Sequence, residues 1–239
     1  MKKGIYILPN AFTLMGMFGG FLAIIYAIKG NFPVAAWAVM VAMVFDGLDG
    51  FVARLTGSAT RFGIELDSLS DLVAFGVAPA IIIFQISINA FGRLGWVGAF
   101  LYVACGALRL ARYNVQMVTA ERKSFMGLPI PGAAVIISTL VLFADDLHID
   151  LYDKWLVLVL TYVLALFMVS TLRFHGLKEL NIKGRKPFWL LVAVVIVLVI
   201  VAARPEIALF GFAMLYLLVG IVENIILLAQ KRGRQITEK

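Results

Sequence analysis

The feature that most constrains this chain is a series of eight apolar runs, each long enough, or nearly so, to cross a membrane as a helix. A hydrocarbon layer of about 30 Å takes about 20 helical residues. The runs lie near residues 11–28, 33–54, 66–88, 94–114, 131–145, 152–173, 187–203 and 205–229. We therefore expect an all-α, polytopic membrane helix bundle with eight transmembrane helices.

Composition supports this class of protein over a soluble one. Hydrophobic residues make up 62% of the 239 residues, and the mean hydropathy is +0.99. The net charge of +7 could indicate a nucleic-acid partner, but the basic residues fall between the apolar runs and not on an RNA-binding motif. Anionic lipid head groups explain them better, so we expect membrane lipids and no nucleic acid as partners.

The distribution of Lys and Arg predicts the orientation, because these residues are retained on the cytoplasmic side. With the N-terminus inside, most of the 21 Lys and Arg residues fall on cytoplasmic connections. The opposite side keeps Lys29, Arg93, Lys154 and Arg204. Lys2 and Lys3 precede an apolar run as in a signal peptide, but no A-x-A cleavage site follows. We expect a multi-pass protein of the cytoplasmic membrane with both termini in the cytoplasm.

Four aspartates interrupt the apolar pattern between residues 46 and 71. Asp46 and Asp49 are three residues apart and Asp67 and Asp71 are four apart, so each pair shares one face of a helix. Four carboxylates brought together repel by roughly 4 kcal/mol per close pair at an effective dielectric near 20. Two divalent cations would cancel this charge. Ligands that are all aspartate, with no His or Cys nearby, favour Mg²⁺ or Mn²⁺ over Zn²⁺.

Two other interpretations of these acids remain open at this point. Ion pairs with Arg54 and Arg61 could fasten two helices, although two arginines leave two acids uncompensated. Cation or proton transport also places carboxylates inside helix bundles.

The residues beside the acids favour phosphate chemistry. Gly50, Ala53 and Gly63 keep the neighbouring surfaces small, so a flat group such as a nucleotide base could approach the backbone. Arg54 is one turn beyond Gly50 and could meet phosphate oxygens at the membrane surface. The pattern therefore favours a ligand that carries both a nucleotide base and phosphates.

These residues form the pattern D-x2-D-G-x2-A-R-x8-G-x3-D-x3-D from Asp46 to Asp71. The pattern resembles that of the CDP-alcohol phosphatidyltransferases without departure. The resemblance implies a core of six membrane helices over residues 1–175, usually dimeric, to which a helical hairpin at 187–230 would be an addition. Residues 1–239 would then form a single integral membrane domain. The orientation predicted from Lys and Arg places its aspartates, and so the active site, near the cytoplasmic face.

The resemblance also implies roles for individual residues. Two divalent metals held by Asp46, Asp49, Asp67 and Asp71 would bind the pyrophosphate of a CDP-lipid, and Asp71 would also act as general base. An alcohol would attack the lipid-side phosphorus, and CMP would leave. The CDP-lipid would contact Asn10, Thr13, Gly50, Ala53, Arg54 and Gly63. For Asn10 and Thr13, an Asn-Pro turn and a helix cap are an equally good explanation.

The segments CGALRLARYNV at 105–115 and GLPIPGAA at 127–134 look like those of the family's serine-using branch. Arg109 and Arg112 are three residues apart, and one or both could bind a carboxylate through paired hydrogen bonds. Alternatively, both are positive anchors at a helix end. We expect CDP-diacylglycerol or CDP-archaeol and L-serine as substrates, with inositol phosphate or glycerol phosphate as alternative acceptors.

Overall fold

The computed structural model describes residues 7–58, 60–118, 127–172 and 203–237. Regular structure in these ranges is helical. The α-helices are α1 (Ile7–Ile28), α2 (Phe32–Thr56), α3 (Arg61–Asp71), α4 (Ala78–Ile86), α5 (Arg93–Val118), α6 (Ile130–Asp146), α7 (Trp155–Val169) and α8 (Pro205–Thr237).

Five described segments are long and apolar enough to cross a membrane: α1, α2, the continuous unit Arg61–Ile86, α5 and the first part of α8. The helix α7 is apolar but shorter. The chain is thus a polytopic helical membrane protein, as its apolar runs predict. The expected helix at 187–203 lies outside the described residues, so the count of eight stays a prediction.

The third membrane segment begins at Arg61 and not near residue 66. Thr60 caps it, since its hydroxyl oxygen accepts a hydrogen bond of 3.0 Å from the Gly63 amide. The first turn, RFGIE, carries two charges, so a search for apolar runs misses it. The earlier start puts Gly63 inside the helix that bears Asp67 and Asp71.

A wider π-helical turn, Leu72–Val77, joins α3 to α4 directly after Asp71. Such turns are rare, and those that occur inside α-helices are frequently found at functional sites. The backbone of α1 passes close to this turn, because a Cβ atom added at Gly20 would lie 2.5 Å from the Cα of Ala74. Glycine at residue 20 therefore allows α1 to support the helix that carries two of the acids.

The contact between α1 and α2 consists largely of small residues, whereas many large apolar side chains of the bundle face outward. Ala23, Ala35 and Ala36 are fully buried on α1 and α2, and these two helices pack extensively against each other. Phe100 and Leu156 are more than half exposed. Small residues at helix contacts with large ones facing out are typical of a bundle surrounded by lipid.

Contacts between helix ends place the aspartates at one end of the bundle. Asp49, near the end of α2, contacts Thr13, near the start of α1. At the opposite end, the Ser87 hydroxyl donates a hydrogen bond of 2.6 Å to the carbonyl of Leu151. Arg204 pairs with Asp146 at 3.1 Å, where α8 begins and α6 ends.

Candidate active site

The structure brings the aspartates of α2 and α3 together. Asp46, Asp49 and Asp67 each offer a carboxylate oxygen, and these oxygens all lie within 4.8 Å of one another. Asp71 is one helical turn beyond Asp67, and its carboxyl group is within hydrogen-bonding reach of that of Asp46. Two carboxyl groups this close need a shared proton or a cation between them.

Hydrogen bonds from α1 and α3 fix the position of Asp49. The Thr13 hydroxyl donates a hydrogen bond of 2.6 Å to Oδ2 of Asp49, which is only 6% exposed. The Ser70 hydroxyl donates in turn to the Thr13 carbonyl at 2.9 Å. The three helices that meet here therefore hold this carboxylate in one place before any ligand binds.

The residues present fit a divalent cation. Oδ1 of Asp67 is buried and has no hydrogen-bond partner, which is costly for a carboxylate oxygen unless a ligand satisfies it. Across the part of the chain that the structure describes, no ion pair joins these acids to Arg54 or Arg61. The acids are therefore not simply one half of a set of ion pairs that fastens two helices. An all-oxygen donor set suits a hard cation.

Gly50, Gly63 and Arg54 belong to α2 and α3, the helices that carry the acids. A Cβ atom added at Gly63 would lie 3.2 Å from Oδ1 of Asn10 and 3.2 Å from Oγ1 of Thr60. At Gly50, an added Cβ would lie 3.4 Å from Nη1 of Arg54. The Arg54 guanidinium thus lies over Gly50, on an exposed surface and within electrostatic range of Asp49.

Ala53 belongs to the last turns of α2, next to this surface. Its carbonyl accepts the hydrogen bond from Gly57 that ends the helix, where Gly57 has the positive φ of 58°. The chain can therefore turn at once from α2 towards α3, which keeps the two pairs of acids adjacent.

The structure separates Arg109 from Arg112 on α5. Arg109 is partly buried and lies within electrostatic range of Asp71, and its Nε atom is buried without a hydrogen-bond partner. Arg112 is exposed. Residues three apart differ by about 60° around a helix, which here is enough to direct one side chain to the acids and the other outward.

The family model described as CDP-alcohol phosphatidyltransferase matches residues 6–169. The chain belongs to the CDP-alcohol phosphatidyltransferase family. It is therefore an enzyme, a phosphatidyltransferase that is integral to a membrane. Members of this family are generally dependent on divalent metal ions, and the group of Asp46, Asp49 and Asp67 could hold one.

Curated relatives carry more specific names. A CDP-diacylglycerol–serine O-phosphatidyltransferase of Helicobacter pylori (strain J99) is 41% identical over 230 residues, which cover 95% of this chain and 94% of the relative. A protein of the same name from Methanocaldococcus jannaschii is 34% identical over 89% of this chain and 92% of its own length. An archaetidylserine synthase of Methanothermobacter thermautotrophicus is 43% identical over 56% of this chain and 58% of its own.

This phosphatidyltransferase has polar residues beside the acids that sequence reasoning did not single out. The Asn114 amide donates hydrogen bonds to the Ser68 hydroxyl at 3.0 Å and to Oε2 of Glu65 at 3.4 Å. These contacts tie the end of α5 to α3. The signal was present in the sequence, because Ser68 and Ser70 lie between Asp67 and Asp71, and Asn114 lies two residues beyond Arg112.

Proposed function

We propose that this enzyme transfers a phosphatidyl or archaetidyl group from a CDP-lipid to the hydroxyl of L-serine and releases CMP. The observation that carries the proposal is the position of Arg109, a carboxylate-binding type of side chain, within electrostatic range of Asp71 at the acidic cluster. Relatives of bacteria and archaea that are named for serine transfer give independent support.

The four aspartates would hold two divalent cations, Mg²⁺ or Mn²⁺. When bound, these ions would supply positive charge to neutralise the pyrophosphate of the substrate and the departing CMP. Thr13 and Ser70 keep the Asp49 carboxylate in place for this role. Oδ1 of Asp67, which is buried without a hydrogen-bond partner, would be one of the ligand atoms.

Asp71 is the residue that would accept the proton of the serine hydroxyl. A bond then forms between the serine oxygen and the lipid-side phosphorus, while the bond from that phosphorus to the CMP oxygen breaks and its electron pair leaves with CMP. An alcohol needs such a base because its neutral form is a weak nucleophile. Asp71 suits the role, since it lies next to Asp46 and near Arg109.

The CDP-lipid would lie along the surface between α1, α2 and α3. Gly50, Ala53 and Gly63 leave room for the cytidine and the phosphates, and Arg54 would pair with phosphate oxygens. Asn10 supports this placement, because its side-chain oxygen lies against Gly63. Thr13, which is also on α1, would act indirectly by holding the carboxylate of Asp49.

Serine would be held through its carboxylate by Arg109, with Arg112 near the exposed edge of the pocket. A guanidinium can bind a carboxylate through two parallel hydrogen bonds, which fixes the direction of the acceptor hydroxyl. Ethanolamine lacks the carboxylate and should be a poor acceptor. Inositol phosphate and glycerol phosphate remain the alternative acceptors.

The setting of the enzyme follows from the same proposal. We place both termini and the active site on the cytoplasmic side of the cytoplasmic membrane, in accord with the distribution of Lys and Arg. The substrate lipid is CDP-diacylglycerol or CDP-archaeol, and the enzyme acts as a homodimer. Residues 1–239 form one integral membrane domain, with 1–175 as the catalytic core and 187–230 as an added hairpin.

The test is steady-state kinetics of Arg109→Lys and Arg112→Lys, with serine varied and then CDP-lipid varied. Lysine keeps the charge but not the planar fork of donors, so KM for serine should rise. We expect the larger rise at Arg109, because it is the partly buried residue, and little change in KM for CDP-lipid. Normal serine kinetics in both variants would refute the carboxylate role. A strong preference of the enzyme for inositol phosphate or glycerol phosphate over serine would show that one of these is the acceptor.

A further inference from the structure

A proline lies where the third membrane segment needs a backbone donor. In a regular α-helix the carbonyl of Phe75 would accept the N–H of the residue four positions on. That residue is Pro79, which has no N–H. The helix is widened at this point, over the π-helical turn Leu72–Val77, and the Ala78 amide donates to the Val73 carbonyl five residues back. The Phe75 carbonyl therefore lacks its ordinary α-helical donor.

Tyr102 of α5 supplies a donor from another helix. Its hydroxyl donates a hydrogen bond of 3.2 Å to the Phe75 carbonyl, and the side chain is fully buried. Neighbouring helices can satisfy the backbone groups that a proline frees inside a membrane, where no water is at hand. A buried carbonyl without a donor is costly, so this hydrogen bond stabilises the turn.

The turn is closely packed on its other sides as well. A Cβ atom added at Gly76, inside the turn, would lie 3.5 Å from Cδ1 of Ile130 on α6. On α5, a Cβ atom added at Gly106 would lie 2.5 Å from the same atom of Ile130. The helix α1 approaches the turn where Gly20 meets Ala74. Three helices therefore enclose the turn, and Tyr102 brings a hydrogen bond to it from one of them.

The widened turn sets the direction in which α3 presents its acids. One extra residue in a turn rotates the residues before it by about 100° relative to those after it. The residues after the turn are fixed, because Ile82 and Ile83 of α4 are fully buried in the core. The direction of Asp67 and Asp71 towards the acids of α2 therefore depends on the wide form of the turn.

We propose that Tyr102 is a positioning residue whose hydrogen bond keeps the turn after Asp71 in its π-helical form. Through the turn it directs Asp67 and Asp71 towards the acids of α2. The proposal rests on the proposed function, because the tasks of these acids in turnover belong to it. Tyr102 touches neither substrate, and α5 has a second role in building the site besides carrying Arg109.

The first test is Tyr102→Phe, which keeps the buried ring and removes only the hydroxyl. We expect kcat to fall about fivefold, the size expected for loss of one hydrogen bond, with little change in KM for serine, because Arg109 is unaltered. Tyr162→Phe is the matched control, since the Tyr162 hydroxyl also donates to a backbone carbonyl of another helix, that of Leu94 at 2.9 Å. Its kcat should stay normal. Normal kcat in Tyr102→Phe would overturn the proposal.

The second test asks whether the hydroxyl acts through the form of the turn or only through stability. Pro79→Ala restores a backbone N–H that can reach the Phe75 carbonyl in an ordinary α-helical turn. We expect the double variant Tyr102→Phe/Pro79→Ala to regain the thermal stability in detergent that Tyr102→Phe loses, but to keep a low kcat. Recovery of normal kcat in the double variant would overturn the proposal, since any donor would then serve. The double variant also provides the test if Tyr102→Phe alone does not fold.

The outcomes separate this inference from the proposed function. Normal kcat in Tyr102→Phe, with CMP release lost in Asp71→Asn, would refute the role of Tyr102 and leave the acids in their proposed tasks. Normal CMP release in Asp71→Asn would instead refute the task of Asp71, whatever the result with Tyr102→Phe.

Discussion

The hydroxyl of Thr13 on α1 lies 2.6 Å from Oδ2 of Asp49 on α2. The same hydroxyl is 3.1 Å from the carbonyl of Pro9, so its stronger hydrogen bond is to the nearer and more negative acceptor, the carboxylate. A helix that contributes none of the aspartates therefore determines the position of one of them. The arrangement of the acids depends on α1 as well as on α2 and α3.

We expect Thr13→Val to lower turnover by about tenfold or more, because a hydrogen bond to a charged group contributes about 1.5–3 kcal/mol. Thr13→Ser should retain most of the activity, since it keeps the hydroxyl. Thr161→Val is the control: Thr161 is also buried, but its hydroxyl donates to the Val157 carbonyl within α7. Normal turnover in Thr13→Val would show that Asp49 does not need this support.

The four aspartates should each be required for turnover. We expect Asp46→Asn, Asp49→Asn, Asp67→Asn and Asp71→Asn to abolish or nearly abolish CMP release, because each change removes a charged ligand from the cluster. Asp145→Asn, an exposed site at the opposite end of the bundle, should be close to normal.

Asp71→Asn should differ from the other three in retaining more CDP-lipid binding, if its task as proton acceptor is separable from its task as ligand. Binding of CDP-lipid to the inactive variants measures this difference. Activity close to normal in Asp67→Asn would contradict the proposed metal site.

Gly63→Ala should weaken binding of the CDP-lipid. Its added methyl group would lie 3.2 Å from the side-chain oxygen of Asn10, so Asn10 or α3 must shift at the nucleotide surface. Gly47→Ala is a matched helical control, since an added Cβ there meets no atom within 4 Å. We expect KM for CDP-lipid to be raised in Gly63→Ala alone. Equal KM values for CDP-lipid in the two variants would contradict a role of Gly63 in the CDP-lipid site.

The sequence predicts the helical spans closely, because each described span is marked by an apolar run. The expected run at 33–54 is the helix Phe32–Thr56, and the run at 131–145 is Ile130–Asp146. The apolar pattern places the start of α3 too late, since Thr60 and the polar turn after it carry no hydropathy signal. The π-helical turn after Asp71 was not predicted, because hydropathy and helical spacing do not register a local widening of the helix.

The candidate site was predictable where its residues lie near one another in the chain. The spacing of Asp46, Asp49, Asp67 and Asp71 already predicts two acidic faces. Contacts between distant segments could not be predicted, because a single sequence does not show which faces of two helices pack together. The hydrogen bond from Thr13 to Asp49 is of this kind, and so is the separation of Arg109 from Arg112.

The most direct measurement of the central proposal is CMP release by the purified enzyme from a CDP-lipid, with serine and metal each present or absent. We expect CMP only when serine is present, loss of the reaction in a chelator, and its return with either Mg²⁺ or Mn²⁺, because the oxygen-only donor set prefers hard cations. Full CMP release from thoroughly metal-free enzyme, or release that serine does not increase, would contradict the proposal.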